Sequence, residues 1–213
     1  ADGTLYAWLM NNGAIVAQGV AGNPGASWSV AAVADLNGDG KADLLMRHAA
    51  SGEAYALFMN GVAIAGGASY GGHLSNWLQA STTRYRCLIS HAGLLDLRSQ
   101  WATSDSVYHR EVYVGGPPWS SSPLWRTQSP FTYATKFRTP VLVTIGEKDY
   151  RVPLNNSLEY WTVLQRQQVP SRLVVFPDQN HWILTGEDSR VFYREIQDWL
   201  TKYMLDGRRG DAE

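Results

Sequence analysis

A serine at position 69 stands in a stretch whose spacing suits a catalytic nucleophile. The stretch Gly67-Ala-Ser-Tyr-Gly71 fits the pattern G-x-S-x-G, with a short apolar run before it and an amphipathic segment after it. This pattern is typical of a sharp strand-turn-helix elbow that exposes the serine hydroxyl. The turn also directs the next backbone N–H, that of Tyr70, towards a developing oxyanion. The alternative interpretation is a glycine-rich loop that contains an incidental serine.

Two further residues could complete the chemistry of a serine nucleophile. Asp149 follows the apolar run at residues 140 to 146, and His181 follows the apolar run at residues 172 to 176. The order Ser69, Asp149, His181 is the one found in α/β-hydrolases. His181 would remove the proton of Ser69 and later protonate the leaving group, while Asp149 would orient the imidazole and stabilise its protonated form. Singly, such an aspartate is more often a cap and such a histidine more often structural.

The elements that must position these residues are strands and helices in alternation. Apolar runs and helical spacing predict strands at residues 86 to 90, 140 to 146 and 172 to 176, and helices at 71 to 82, from 153 onwards and at 188 to 203. Residues 91 to 139 are predicted to form loops interrupted by short helices. The alternation predicts an α/β fold with a parallel sheet from about residue 62 to 203.

The last two of these helices each have a side rich in apolar residues. On the first, the expected buried side holds Leu154, Leu158, Trp161 and Leu164. On the second, the apolar stripe consists of Val191, Phe192, Ile196, Trp199, Leu200 and Tyr203. We expect both sides to pack on the sheet.

The first 61 residues have a different character, because they contain an internal repeat. Residues 1 to 11 recur in similar form as residues 50 to 60, each with a glycine turn, alternating apolar residues and an Asn/Gly turn. Further short strands are expected at residues 28 to 33 and 44 to 46. This segment is predicted to be all β, formed of hairpins.

A loop in that segment has the spacing of a calcium site. Its candidate ligands are Asp35, Asn37, Asp39, the backbone carbonyl of Lys41, and Asp43. Hard oxygen ligands at this spacing converge on Ca²⁺, although the glutamate at position 12 of an EF-hand is missing. The loop and its flanking phrases resemble bacterial FG-GAP (VCBS-like) repeats, which implies calcium binding. The alternative is an Asx-rich turn without a metal.

Residues from about 62 to 204 resemble the C-terminal part of the prolyl oligopeptidase family, which includes acylaminoacyl peptidases and dipeptidyl aminopeptidases. The matching phrases are Gly67-Ala-Ser-Tyr-Gly-Gly72, Gly146-Glu-Lys-Asp-Tyr-Arg-Val-Pro153 and Phe176-Pro-Asp-Gln-Asn-His181. The resemblance implies a catalytic triad of Ser69, Asp149 and His181 with an oxyanion donor at the Tyr70 N–H, and no cofactor for catalysis. Tyr150 and Trp182 would line the substrate cleft, or else pack in the core. Ala68 departs from the usual Gly or Trp, but it is small enough for the elbow.

Strands that precede the nucleophile strand in this family have no counterpart in the sequence. We therefore expect a chimera: a repeat segment at 1 to 61, a truncated α/β-hydrolase domain at 62 to 204, and a polar, disordered tail at 205 to 213. Without its usual neighbour the nucleophile strand would lie at a sheet edge, where the repeat strands or another subunit would cover it or the domain would be marginal. We expect self-association through that edge, which makes a homo-oligomer. The second oxyanion donor would be missing, which typically costs about 10²–10³ in rate.

Composition narrows the classes of function. A net charge of −1 provides no field for nucleic acid, and no apolar run approaches a membrane span. A single cysteine, Cys87, excludes an internal disulfide. The first residues lack the features of a signal peptide, although the repeat favours a periplasmic or secreted protein. We predict a serine peptidase or esterase that acts on a peptide or small ester. The alternative is a weak or inactive fusion with a calcium-binding module.

Overall fold

The computed structural model describes residues 4–11, 14–22, 26–35, 42–49, 54–60 and 63–205, and its centre is a sheet of seven strands. The strands are β1 Leu5–Asn11, β2 Ala14–Gly22, β3 Trp28–Ala34, β4 Asp43–His48, β5 Ala54–Asn60, β6 Ala63–Ala68, β7 Leu88–His91, β8 Val141–Gly146 and β9 Ser171–Phe176. The seven-stranded sheet has the order β3-β4-β5-β6-β7-β8-β9, and β1 pairs with β2 in a separate hairpin.

The sheet changes from antiparallel to parallel at β6. Strands β3 to β6 pair antiparallel, whereas β6 to β9 pair parallel, with Ala68, His91 and Thr144 in register on neighbouring strands. A helix or loop crosses over between successive parallel strands, as parallel pairing requires. The carboxyl ends of β6, β8 and β9 therefore point the same way. Ser69, Asp149 and His181 all follow these ends.

Six helices and two irregular turns complete the described chain. The helices are α1 Tyr70–Ser81, α2 Leu97–Thr103, α3 Val107–Val114, α4 Leu124–Thr127, α5 Leu154–Arg166 and α6 Gly186–Leu200. A 3₁₀ segment spans Pro130–Lys136 and a π turn spans Thr201–Leu205. Among the described residues no helix is both long and apolar enough to cross a membrane.

The core lies on both faces of the parallel strands. Ile89 and Leu142 pack with Phe192, Ile196 and Trp199 of α6. Their chain neighbours Leu88, Val141 and Val143 pack on the opposite face with Tyr160 and Leu164 of α5 and Ala80 of α1. Since successive side chains of a strand alternate between faces, strands covered on both sides are apolar at nearly every position. This explains the continuous apolar run that predicted β8.

The predicted α/β fold is confirmed, and most predicted elements lie within three residues of the observed ones. The buried side of α5 differs from the prediction: Leu158 and Trp161 are exposed, whereas Asn156, Ser157 and Tyr160 are buried. The Oδ1 of buried Asn156 accepts a hydrogen bond of 3.2 Å from the backbone N–H of Leu95. The stripe predicted on α6 is largely correct, although Val191 is exposed.

The nucleophile strand does not lie at a sheet edge, and cover by strands of the first segment is the alternative that the structure shows. Strand β6 pairs with β7 on one side and with β5 on the other, so its backbone groups have partners in both directions. Strand β5 comes from the segment predicted as a repeat, and it takes the place of the neighbour that the nucleophile strand usually has in the family. The described sheet ends instead at β3 and β9. The domain boundary at 61 and 62 and most of the predicted tail lie outside the described residues, and both stay predictions.

Candidate active site

Ser69 occupies the turn between β6 and α1, in the strand-turn-helix order that the elbow motif requires. Its backbone has φ 59° and ψ −115°, a conformation that is unfavourable for a residue with a side chain. The turn is held by the Ser69 N–H, which donates to the carbonyl of His91 at 2.9 Å. Gly67 is required because a Cβ there would lie 2.7 Å from the carbonyl carbon of Gly71. The backbones of β6 and α1 therefore pack directly against each other next to Ser69.

Asp149 and His181 form a hydrogen-bonded pair. The Nδ1 of His181 lies 2.7 Å from the Oδ2 of Asp149 and donates to it. The other carboxylate oxygen accepts the backbone N–H groups of Arg151 and Val152, each at 2.9 Å. The Asp149 side chain is fully buried, and these donors offset the cost of removing its carboxylate from water. The His181 side chain is 19% exposed. With its proton on Nδ1, the neutral imidazole keeps Nε2 as an acceptor.

The loops that carry this pair are joined at the end of β8. The Lys148 N–H donates to the carbonyl of Gln179 at 2.9 Å, and the Glu147 N–H donates to that of Phe176 at 3.0 Å. Gly146 permits this approach, because a Cβ there would collide with the backbone oxygens of Asn180 and Gln179. The absence of a side chain at Gly146 therefore sets how closely the His181 loop approaches the sheet.

His91 connects the serine to the histidine. Its carbonyl accepts the Ser69 N–H, and its Nε2 lies 3.1 Å from the carbonyl oxygen of His181. Its Nδ1 lies 2.9 Å from the Oγ1 of Thr144. Burial, with a smaller contribution from the nearby His181, lowers the pKa of His91 to about 4. His91 is therefore neutral at physiological pH, and it ties the two predicted catalytic loops to one strand end.

The other predicted site residues lie around this centre. Tyr70 begins α1, and its ring stacks on Trp28 with 6.0 Å between ring centroids. Trp182 packs edge-on against the His181 ring at 5.1 Å, so it lies at the site. Tyr150 adjoins Asp149 with 69% of its surface exposed, which excludes the alternative of core packing. Its backbone carbonyl accepts the N–H of Asp105.

The predicted calcium loop falls mostly outside the described residues. Asn37, Asp39 and Lys41 are not described; Asp35 is exposed and Asp43 is buried in β4. Within the described ranges, no three His, Cys, Asp or Glu side chains form a potential metal site. Calcium binding therefore stays a prediction.

A comparison with models of protein families shows to which family the chain belongs. The model of the prolyl oligopeptidase family matches residues 4–207, nearly the whole chain. The chain belongs to the prolyl oligopeptidase family. The match extends into the first 61 residues, for which the FG-GAP repeat and the fusion stay predictions.

Individual proteins with dipeptidyl-peptidase names are similar to the chain in sequence. Dipeptidyl-peptidase 5 of Schizosaccharomyces pombe is 31% identical over 152 residues, which are 70% of this chain and 22% of that protein. Dipeptidyl-peptidase 5 of Porphyromonas gingivalis is 33% identical over 143 residues, 65% of this chain and 21% of that protein. The chain thus matches less than a quarter of the length of these relatives.

Solved structures in the family share the fold. The acylaminoacyl peptidase of Pyrococcus horikoshii superposes with a TM-score of 0.61 and 25% identity, over 65% of this chain and 23% of that one. An acylaminoacyl peptidase in complex with Z-Gly-Gly-Phe-chloromethyl ketone has a TM-score of 0.59 and 25% identity, over 63% of this chain and 22% of that one. Both support the α/β-hydrolase fold of the chain.

Sequence reasoning missed His91, Thr144 and the steric role of Gly146. His91 directly follows a predicted buried strand, which is the same position relative to its strand that singled out Asp149 and His181. That position was a usable signal. Thr144 sits within an apolar run and carried no signal, because only the pairing of β7 with β8 places it beside His91.

Proposed function

We propose that this member of the prolyl oligopeptidase family is a serine hydrolase that acts through an acyl-enzyme on Ser69. The proposal rests on the Asp149–His181 pair, which leaves Nε2 of the imidazole as a base on the same sheet end as the strained serine turn. His91 bonds to both loops and so keeps them adjacent. The family match supports peptidase chemistry.

The reaction follows from the roles of these groups. Nε2 of His181 takes the hydroxyl proton as Oγ of Ser69 bonds to the substrate carbonyl carbon, whose oxygen becomes an oxyanion. The Tyr70 N–H, at the first residue of α1, is the proposed donor to that oxyanion. The buried Asp149 carboxylate stabilises the imidazolium. Collapse breaks the bond to the leaving group, which receives the proton from His181, and water then releases the acyl group by the same steps.

Peptides and small esters are the proposed substrates. The names of the relatives, dipeptidyl-peptidase and acylaminoacyl peptidase, describe cleavage of peptides. The elbow provides one backbone oxyanion donor, the Tyr70 N–H. Loss of a second donor lowers the catalytic rate by about 10²–10³. An activated ester such as p-nitrophenyl acetate needs less oxyanion stabilisation than an amide, because its leaving group departs easily. We therefore expect the ester to be the more rapidly cleaved substrate.

Covalent labelling tests the nucleophile. A fluorophosphonate probe should label the wild-type chain, because its phosphorus accepts attack by an activated serine. Ser69→Ala should abolish labelling and reduce p-nitrophenyl acetate hydrolysis to the rate of the buffer. Mass spectrometry of the labelled peptide locates the adduct.

A matched control is Ser121→Ala, since Ser121 is exposed and distant in sequence from the three proposed catalytic residues. This variant should be labelled like the wild type. Wild-type protein that is folded by circular dichroism but resists the probe would overturn the proposed function.

A further inference from the structure

His91 lies between the serine and the histidine, although the hydrolase chemistry does not use its side chain. We propose that His91 is a positioning residue that sets the placement of the His181 imidazole relative to Ser69. This inference rests on the proposed hydrolase function. It assigns a role to a buried polar side chain that no step of the reaction explains.

The hydrogen bonds of His91 define a single tautomer. The His181 carbonyl can only accept, so Nε2 of His91 must carry the proton in the 3.1 Å bond to it. Nδ1 is then unprotonated in the neutral ring, and it accepts the hydroxyl proton of Thr144 at 2.9 Å. The side chain therefore bridges Oγ1 of Thr144 on β8 and the backbone of the His181 loop. Its own carbonyl meanwhile holds the Ser69 N–H.

The surroundings prevent the ring from adopting another position. His91 is 2% exposed and Thr144 is fully buried. The ring of Phe192 from α6 packs edge-on against His91 at 4.9 Å between centroids, and Trp182 lies at 6.3 Å. Because this packing restricts the His91 ring, the position of β7 determines where the His181 backbone lies. Asp149 accepts a hydrogen bond from Nδ1 of the His181 ring. His181 is therefore held at two points, at its backbone carbonyl by His91 and at its ring by Asp149.

Loss of one anchor should affect the rate more than substrate binding. A displacement of about 1 Å in a catalytic group can cost about 10²-fold in rate. His91→Leu removes both side-chain bonds while keeping an apolar side chain of similar bulk. We expect kcat for p-nitrophenyl acetate, and the rate of fluorophosphonate labelling, to fall about 10- to 100-fold. KM should change little, because His91 is buried beneath the site rather than facing the substrate.

A conservative variant separates positioning from a general role in packing. His91→Gln retains an amide N–H that can reach the His181 carbonyl, so it should recover most of the lost labelling rate. If Leu and Gln slow the reaction equally at the same thermal stability, the positioning role is wrong. If His91→Leu reacts at the wild-type rate, it is also wrong.

Variants at Thr144 provide a test should His91→Leu fail to fold. Thr144→Val removes the hydroxyl that orients His91 but keeps the shape, whereas Thr144→Ser keeps the hydroxyl. We expect slower labelling for Val and nearly wild-type labelling for Ser, and equal rates would contradict the proposal. Failure of the wild-type chain to label would instead overturn the hydrolase function, so the two failures are distinguishable.

Discussion

Two buried histidines should make the folded chain sensitive to mild acid. His73 donates through Nδ1 to the carbonyl of Leu94 at 3.1 Å and accepts the indole N–H of Trp77 through Nε2. Burial lowers its pKa to about 4, and the pKa of His91 is lowered to the same value. Both rings therefore stay neutral in the folded protein at pH values where they are protonated in the unfolded chain.

This difference predicts a loss of stability as pH falls from about 6.5 to 4. The unfolded state binds more protons across this window, so the free energy of unfolding falls as the pH falls, by on the order of 3 kcal/mol for each histidine. Chemical denaturation at pH 7 and at pH 4.5 measures it. His73→Gln should reduce the difference between the two pH values, whereas His109→Gln, at an exposed position, should not. An undiminished difference in His73→Gln would contradict the assignment.

Close contact between elements is as important for the site as its polar groups. At the end of β8, Gly146 lies against the backbone of Gln179 and Asn180 in the loop that carries His181. We expect Gly146→Ala to push that loop away, which would lower the unfolding free energy by about 1–3 kcal/mol and the labelling rate by about 10²-fold. Thermal unfolding and fluorophosphonate labelling measure the two effects.

Gly186→Ala is the matched control for this substitution. Gly186 begins α6, and a Cβ there meets nothing within 4 Å. Alanine also favours the helix over glycine, so this variant should be at least as stable as the wild type and label normally. The steric explanation fails if the two variants behave alike.

The elements also show where sequence patterns are sufficient and where they are not. Residues of β8 are buried on both faces, so the run at 140 to 146 predicted it without reference to neighbours. The buried side of α5 was not predictable in this way. Its apolar periodicity favoured Leu158 and Trp161, but the sheet and the loop at Leu95 select the side with Tyr160 and Asn156.

At the scale of the whole molecule, self-association stays a prediction, although its location changes. Strand β6 is covered by β5, and the described sheet ends at β3, where Val30 and Val33 are exposed. An apolar end strand can pair with another chain. We expect concentration-dependent association in light scattering, reduced in Val33→Lys because the charge opposes pairing.

Val107→Lys is the matched control, since Val107 is also exposed but begins the helix α3. It should associate like the wild type. A strictly monomeric wild-type chain at high concentration would contradict this prediction.

The sequence by itself determined which residues could carry out the reaction and the alternation of strands and helices around them. Motif spacing and hydrophobic periodicity are local properties, so Ser69, Asp149 and His181 could be placed at strand ends without a structure. Only the tertiary structure decided that β5 covers β6 and that His91 joins the serine turn to the histidine loop. The contact between His91 and the His181 loop links residues 90 positions apart in the sequence. Such pairings depend on how the strands assemble, because no local pattern encodes which strand becomes the neighbour of another.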